Sequence, residues 1–311
     1  MARILVTGAA GFIGRALCVG LVKRGHAVLG RSRHPAEPIL GAEISPIGDI
    51  GPNTDWSEHL ERVDVIVHLA NRAHRFERGP DDCKEALAAR TLAQCAAKAG
   101  VRRLVHVSSV RAMGNATPPG TAFRETDPPN PRDPYGCGKL AIETAVRVAA
   151  QEDAIEIVIL RPPLVYGPTV GANFRALMQL AGSGLPLPLA GIDNRRSLIF
   201  IDNLVDLIGL ACLHPDAAGR VLLTRDALDL STPELIRILA TELGRPTRLF
   251  EVPKPALAAL RHLPILGPLV SRLTLSLQVD DRETRAILDW RPPVSPETGL
   301  ATTAVAFRAL S

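Results

Sequence analysis

Thr7-Gly8-Ala9-Ala10-Gly11-Phe12-Ile13-Gly14 is the stretch whose reading decides the fold. It follows the apolar, β-branched run Ile4-Leu5-Val6, too short for a helix, and leads into Ala16 to Lys23, which has the pattern of one. The glycines therefore occupy a strand-to-helix turn. In such a turn Gly8 takes a backbone angle closed to other residues, Gly11 lets main chain approach a ligand, and Gly14 lets the helix pack close to the strand. The helix N-terminus then presents free N–H groups and a positive dipole end, which suits a diphosphate. The spacing is G-x-x-G-x-x-G rather than G-x-G-x-x-G. A plain tight turn also uses spaced glycines, so the strand before and the helix after carry the distinction.

The chain of 311 residues is long enough for two units at roughly 150 residues each. Hydrophobic residues make up 46% and aromatic ones only 4%, so the core is built from Ala, Val, Leu and Ile, as suits an α/β protein. The net charge of +4 is modest and its basic residues lack aromatic partners, which argues against nucleic acid and for a small phosphorylated ligand. Cys18, Cys83, Cys95, Cys137 and Cys212 show no C-x-x-C spacing, so a reduced cytoplasmic chain without a metal is expected. Strand formation begins at once, leaving no room for a signal peptide. Pro255 to Leu275 is the most apolar segment, but Arg261, His262, Arg272 and its prolines interrupt it, and no membrane span is expected.

Working outward, Ala27 to Gly30 reads as the second strand, with Arg31-Ser32-Arg33 just beyond it. An acid placed there would bind a ribose 2′-hydroxyl; two guanidiniums around Ser32 suit a 2′-phosphate instead, so NADP(H) is expected ahead of NAD(H). Ile44 to Ile47 is a short third strand, followed by Asp49-Ile50. Val63 to Ala70 is the fourth, bringing Leu69 and Ala70 towards the cofactor, with His68 read as structural. A helix over 84–99 precedes the fifth strand, Arg103 to Val107, which delivers Ser108 and Ser109. This rhythm implies a doubly wound parallel sheet with ligands at the strand carboxyl ends.

In Asp133-Pro134-Tyr135-Gly136-Cys137-Gly138-Lys139, Asp133 reads as an N-cap and Pro134 as the first helical residue. Tyr135 and Lys139 then share one helical face. Gly136 and Gly138 each weaken a helix by about 1 kcal/mol, tolerable where something such as a bound nicotinamide ribose approaches the backbone.

These motifs, together with Arg161-Pro162-Pro163-Leu164-Val165-Tyr166-Gly167-Pro168, resemble the extended short-chain dehydrogenase/reductases, which include nucleotide-sugar epimerases, dehydratases and reductases. Asn173-Phe174, Leu185 to Pro188, Arg195 to Asn203 and Leu288 to Pro292 look like that family's later landmarks. Residues 161–206 are most similar to the branch that includes UDP-N-acetylquinovosamine dehydrogenase, a 4-keto sugar reductase. The resemblance implies Ser109, Tyr135 and Lys139 as catalytic residues. It implies Gly8, Gly11, Phe12, Ile13, Arg31, Ser32, Arg33, Asp49, Ile50, Leu69, Ala70, Tyr135, Lys139 and Pro162 as cofactor contacts. Ser109, Asn173, Arg195 and Arg196 would hold a UDP-sugar, the arginines through its diphosphate. Lys139 and a cationic nicotinamide would lower the Tyr135 phenol from its reference near 10.

Two departures from the family pattern matter. A short Asn-x-x-Gly-Thr motif is replaced by Leu87-Ala88-Ala89-Arg90-Thr91, and Ser109 is followed by Val110-Arg111 where dehydratases carry Asp-Glu. The expected reaction is reduction of a UDP-4-keto-6-deoxy-(N-acetyl)hexosamine. A UDP-hexose 4-epimerase and a non-catalytic NAD(P)-binding sensor or scaffold are the alternatives. Residues 1–165 are expected to bind the dinucleotide, with 198–225 returning to that unit, and 166–311 to form a smaller substrate lobe; a homodimer is compatible with the resemblance.

Overall fold

The computed structural model describes residues 1–70, 82–153, 155–253 and 267–309. Its strands are β1 (Arg3–Thr7), β2 (Ala27–Ser32), β3 (Ala42–Pro46), β4 (Val65–His68), β5 (Arg103–Val107), β6 (Glu156–Arg161), β7 (Leu164–Tyr166), β8 (Leu198–Phe200) and β9 (Val221–Leu223). The main helices are α1 (Phe12–Lys23), α2 (Asp82–Lys98), α3 (Pro134–Asp153), α4 (Ala172–Gly182), α5 (Ile201–Ala211) and α6 (Thr232–Glu242), and three more follow at Gly267–Thr274, Arg282–Leu288 and Pro296–Ala309.

Seven strands form one parallel sheet in the order β3-β2-β1-β4-β5-β6-β9. The period of two in the strands sorts their side chains between two layers. Ile4, Val6, Val65, Val67, Val105 and Val158 face Leu17 and Leu21 of α1 and Leu204, Leu207 and Ile208 of α5. Leu5, Leu29, Ile66, Leu104 and Ile157 face Ala89, Leu92 and Ala96 of α2 and Ile142 and Val146 of α3. Each such buried Leu or Ile stabilises the fold by roughly 1.5–3 kcal/mol. The expected doubly wound sheet is therefore present. The chain steps outward from β1 to β3 and returns to the other side of β1 at β4, so the crevice at the carboxyl ends of β1 and β4 is the topological switch point.

Some boundaries shift. The first helix begins at Phe12 because Gly11, in extended conformation, serves as its N-cap and accepts from Arg15 N at 2.9 Å. The third strand runs Ala42–Pro46, and β2 continues through Arg31 and Ser32. Ser231 and Glu234 form a reciprocal capping box at α6.

Beyond β6 the chain builds a second, two-stranded parallel sheet from β7 and β8, while β9 returns to the edge of the main sheet. Asp226 joins these parts. It accepts from Tyr166 Oη at 2.7 Å, Phe200 N at 3.0 Å and Asn203 Nδ2 at 2.7 Å. Asn203 in turn exchanges hydrogen bonds with the Val294 backbone at 2.8 and 2.9 Å. Among the described residues no helix is long and apolar enough to cross a membrane. Most of the apolar segment Pro255 to Leu275 lies outside the described residues.

Candidate active site

The turn after β1 fits a dinucleotide. Gly8 has φ of +72°, and a Cβ there would lie 3.0 Å from Ala70 N, across the crevice. A Cβ on Gly14 would lie 2.1 Å from Gly8 O, so only glycine lets α1 pack this closely on the turn. The first turn of α1 has no side-chain cap and no acid, leaving its N–H groups and dipole for an anion. Phe12 and Ile13, half-buried, begin the helix.

Thr7 ties the two strands that bound the crevice. Its Oγ1 accepts from Leu69 N and Ala70 N, both at 3.2 Å, so its hydroxyl proton is left to donate to His68 Nδ1 at 2.8 Å. His68 is thereby an acceptor at Nδ1, and burial pushes its pKa down to about 4, with Lys139 acting in the same direction. It is a neutral structural residue.

The basic stretch is less open than its sequence suggests. Arg31 and Ser32 lie within β2 and are buried. The Arg31 guanidinium donates to His59 Nδ1 at 3.1 Å and Gly30 O at 3.2 Å and approaches Glu43 at 3.5 Å. Ser32 Oγ donates to His34 O. Arg33 is exposed and paired at 2.8 Å with Asp49, which was expected to touch cofactor. Ile50 packs at the edge of the α2/α3 core layer.

Ser109 and Tyr135 meet where β5 ends. Ser109, in extended conformation, caps the short 3-10 turn Val110–Ala112, and its Oγ accepts from Arg111 N at 3.2 Å. Pro162 O holds this turn by accepting from Val110 N at 3.0 Å. Asp133 caps α3 as expected, its Oδ1 accepting from Gly136 N at 2.8 Å, and the cap aims Tyr135 at Ser109. The two hydroxyls are hydrogen-bonded. Lys139, one turn on, is buried; its Nζ donates to Val107 O at 3.1 Å and lies 5.9 Å from the Tyr135 ring centroid.

Residues 4–222 match the NAD dependent epimerase/dehydratase family. The chain belongs to that family. It is 38% identical to the UDP-glucose 4-epimerase of Vibrio cholerae, over 98% of this chain and 95% of that protein. It is 31% identical to the dTDP-6-deoxy-L-talose 4-dehydrogenase (NAD(P)(+)) of Kitasatospora kifunensis, over 82% of this chain and 83% of that one. UDP-glucuronic acid 4-epimerase from Bacillus cereus shares the fold, with a TM-score of 0.79 at 23% identity over 99% of this chain and 100% of that structure. The chain is accordingly an NAD-dependent enzyme of the epimerase/dehydratase type.

The geometry of this epimerase/dehydratase site corrects the reading of Gly136, and burial dominates the Tyr135 phenol in the protein alone. In the protein alone the Tyr135 phenol is raised, because burial outweighs the Ser109 hydrogen bond and the Arg111 charge that act against it. Burial instead lowers Lys139 itself to about 8, against the opposing pull of Glu85 and Glu143. Gly136, expected to admit a ribose, admits protein: a Cβ there would lie 2.3 Å from Arg111 O.

Residues that family resemblance did not single out support the site from below. Glu143, four residues after Lys139 on the buried stripe of α3, takes Arg161 through both oxygens at 2.6 to 3.2 Å and a short bond from Ser108 Oγ. Its helical spacing from Lys139 was the available signal. Of the expected substrate residues other than Ser109, Asn173 lies on α4 and Arg195 and Arg196 lie shortly before β8. Asn173 accepts from Arg272 at 3.0 Å, and Arg195 pairs with Glu234 at 2.8 Å. Arg196 donates to the carbonyls of Arg272 and Leu275, and burial together with the nearby Arg111 charge lowers it to about 10. Of the two arginines, Arg196 is the one near enough to Arg111 to feel its charge.

Proposed function

We propose that this enzyme oxidises and re-reduces carbon 4 of a UDP-hexose, acting as a UDP-sugar 4-epimerase. The observation that carries the reading is the Tyr135 phenol hydrogen-bonded to Ser109 with Lys139 one helical turn beyond. The 38% identical UDP-glucose 4-epimerase of Vibrio cholerae supports it. The residues Val110-Arg111 after Ser109 offer no acid to protonate and deprotonate carbons 5 and 6, which argues against a dehydratase.

The cofactor would lie with its diphosphate at Gly8 to Ile13 and its nicotinamide towards Tyr135, and when bound it supplies the hydride acceptor and donor. Tyr135 takes the sugar 4-hydroxyl proton and later returns it. Ser109 donates to the same oxygen and orients it. Lys139 would hydrogen-bond the ribose hydroxyls, and its charge together with a cationic nicotinamide would oppose the burial that raises the phenol. Arg196, and Arg195 after release from Glu234, would hold the substrate diphosphate. In this reading residues 1–165, with 198–225, hold the cofactor and the remainder of 166–311 the sugar nucleotide.

A second reading, NADPH-dependent reduction of a UDP-4-keto-6-deoxy-(N-acetyl)hexosamine, is favoured by the exposed Arg33 and by the lack of an acid within Arg31-Ser32-Arg33 itself. The dTDP-6-deoxy-L-talose 4-dehydrogenase relative leans the same way. Purified protein decides between them. Interconversion of UDP-glucose and UDP-galactose without net NADH or NADPH change supports the epimerase; stoichiometric NADPH loss with the 4-keto sugar, and no interconversion, replaces it with the reductase. Tyr135→Phe abolishes either turnover while cofactor affinity is retained; a variant as active as wild type would return the sensor or scaffold reading.

A further inference from the structure

We propose that Asn194 is a positioning residue for the substrate: it anchors residues 272–277, and these hold the Arg196 guanidinium ready for a diphosphate. Asn194 is 2% exposed, so every polar atom of its amide needs a partner. Thr232, the first residue of α6, donates its backbone N–H to one end of the amide at 2.8 Å, which identifies that end as Oδ1 and the other as the donor. Nδ2 then faces Thr232 Oγ1 at 3.1 Å, Leu275 O at 3.2 Å and Leu273 O at 3.3 Å. Thr232 Oγ1 itself donates to Leu273 O at 2.7 Å. One buried amide and one hydroxyl thus tie the start of α6 to the end of the helix Gly267–Thr274.

The segment tied in this way is the one that holds Arg196. Arg196 donates to Arg272 O at 2.8 Å and to Leu275 O at 3.2 Å, so it shares the Leu275 carbonyl with Asn194. Its backbone is bridged to Leu230 and to Leu277. The neighbours fix the same register: Arg195 N donates to Ser276 Oγ at 3.1 Å and Ser197 N to Leu277 O at 2.9 Å. Arg272 also donates to Asn173 at 3.0 Å, so two of the expected substrate residues take their direction from this segment. The charge pattern suits an anion. Arg195 is paired with Glu234, whereas Arg196 meets carbonyl oxygens and, among the described residues, no carboxylate. A carbonyl orients a guanidinium without cancelling its charge. Both bonds come from Nη1, so among the described residues Nε and Nη2 remain for the oxygens of a phosphate. Without Asn194 the Leu273 and Leu275 carbonyls lose a buried donor and are free to turn, and Arg196 loses the frame that directs it. The loss falls on binding of the diphosphate, not on proton transfer at Tyr135.

The inference rests on the reading that Arg196 meets the diphosphate, and UDP tests the two separately. Calorimetric titration of UDP into the protein saturated with its tighter-binding dinucleotide is expected to show about tenfold weaker binding in Arg196→Met and in Asn194→Ala. Because Asn194 acts through Arg196, the double variant is expected to bind UDP about as well as Arg196→Met alone. Asn194→Ala also raises KM for the sugar nucleotide by about tenfold, keeps kcat within about twofold and leaves dinucleotide affinity unchanged. A purely structural Asn194 would lower the unfolding midpoint and move none of these. Thr232→Val removes the hydroxyl but keeps the N–H bond to Asn194 Oδ1; it is expected to weaken UDP binding by about threefold, with Thr232→Ser close to wild type. This pair tests the proposal if Asn194→Ala does not fold. Wild-type UDP affinity in Asn194→Ala, or additive losses in the double variant, would overturn the inference and leave Arg196 its role. Unchanged affinity in Arg196→Met, or no UDP binding by wild type, would remove the reading of Arg196 and the inference with it.

Discussion

Arg161 grips Glu143 through three hydrogen bonds of 2.6 to 3.2 Å, with both side chains almost wholly out of water. The pair joins the end of β6 to the middle of α3, and Ser108 is bonded to it from β5. Ser109, the proposed partner of the substrate oxygen, therefore stands one residue from a buried ionic joint between three elements. Breaking such a pair from one side leaves a charge without compensation, at a cost of about 3–5 kcal/mol. Arg161→Met is expected to lower unfolding free energy by that amount in urea denaturation, and a loss below about 1 kcal/mol would show that the joint is not structural.

The glycine turn yields a graded prediction. Gly14→Ala forces a Cβ to within 2.1 Å of Gly8 O, whereas Gly11→Ala meets its nearest atom at 3.2 Å. Overpacking of the first kind costs about 1–3 kcal/mol. Cofactor binding measured by fluorescence should weaken about tenfold or more in Gly14→Ala, since the turn must open. A Gly14→Ala protein with wild-type affinity and stability would contradict this placement of α1.

On the NADP(H) reading, Arg33 is the residue proposed to meet a 2′-phosphate. Arg31 is buried and occupied by His59, Gly30 O and Glu43, while Arg33 is exposed and paired with Asp49. If the site prefers NADP(H), Arg33→Ala weakens NADPH binding by about fivefold or more and leaves NADH unchanged. Equal losses for both coenzymes, or a wild type that binds NADH tenfold tighter, would remove the preference.

Lys139 makes stability depend on pH. Its folded pKa of about 8 lies below the ordinary value of 10.5, so the unfolded chain binds this proton more tightly. The burial penalty is therefore complete below pH 8 and vanishes as pH rises to 10.5. Lys139→Met should stabilise the protein at pH 7 by up to about 3 kcal/mol, less about 1 kcal/mol for the lost bond to Val107 O. Urea denaturation at pH 7 and pH 10.5 checks it: the advantage must shrink at the higher pH.

The sequence by itself determined the parallel sheet, the glycine turn and the capped helix at Pro134 with Tyr135 and Lys139 on one face. These are short-range properties: apolar period, cap chemistry, and residues four apart on one helix. Only the tertiary structure decided what those residues touch. Glu143 and Arg161 are 18 positions apart, and Tyr166 and Asp226 are 60 apart. No local pattern announces such pairs, because they form when separate elements are packed and a buried charge or hydroxyl must find a partner. Arg31 illustrates the difference. As a sequence it is a cation beside a strand end, but the continuation of β2 turns it inward to His59 and Glu43, and leaves Arg33 at the surface. Gly136 is a second case. Its glycine could be read as room for a ligand, and the fold fills that room with the Arg111 carbonyl, because the Ser109 turn must lie against α3 for the two hydroxyls to meet.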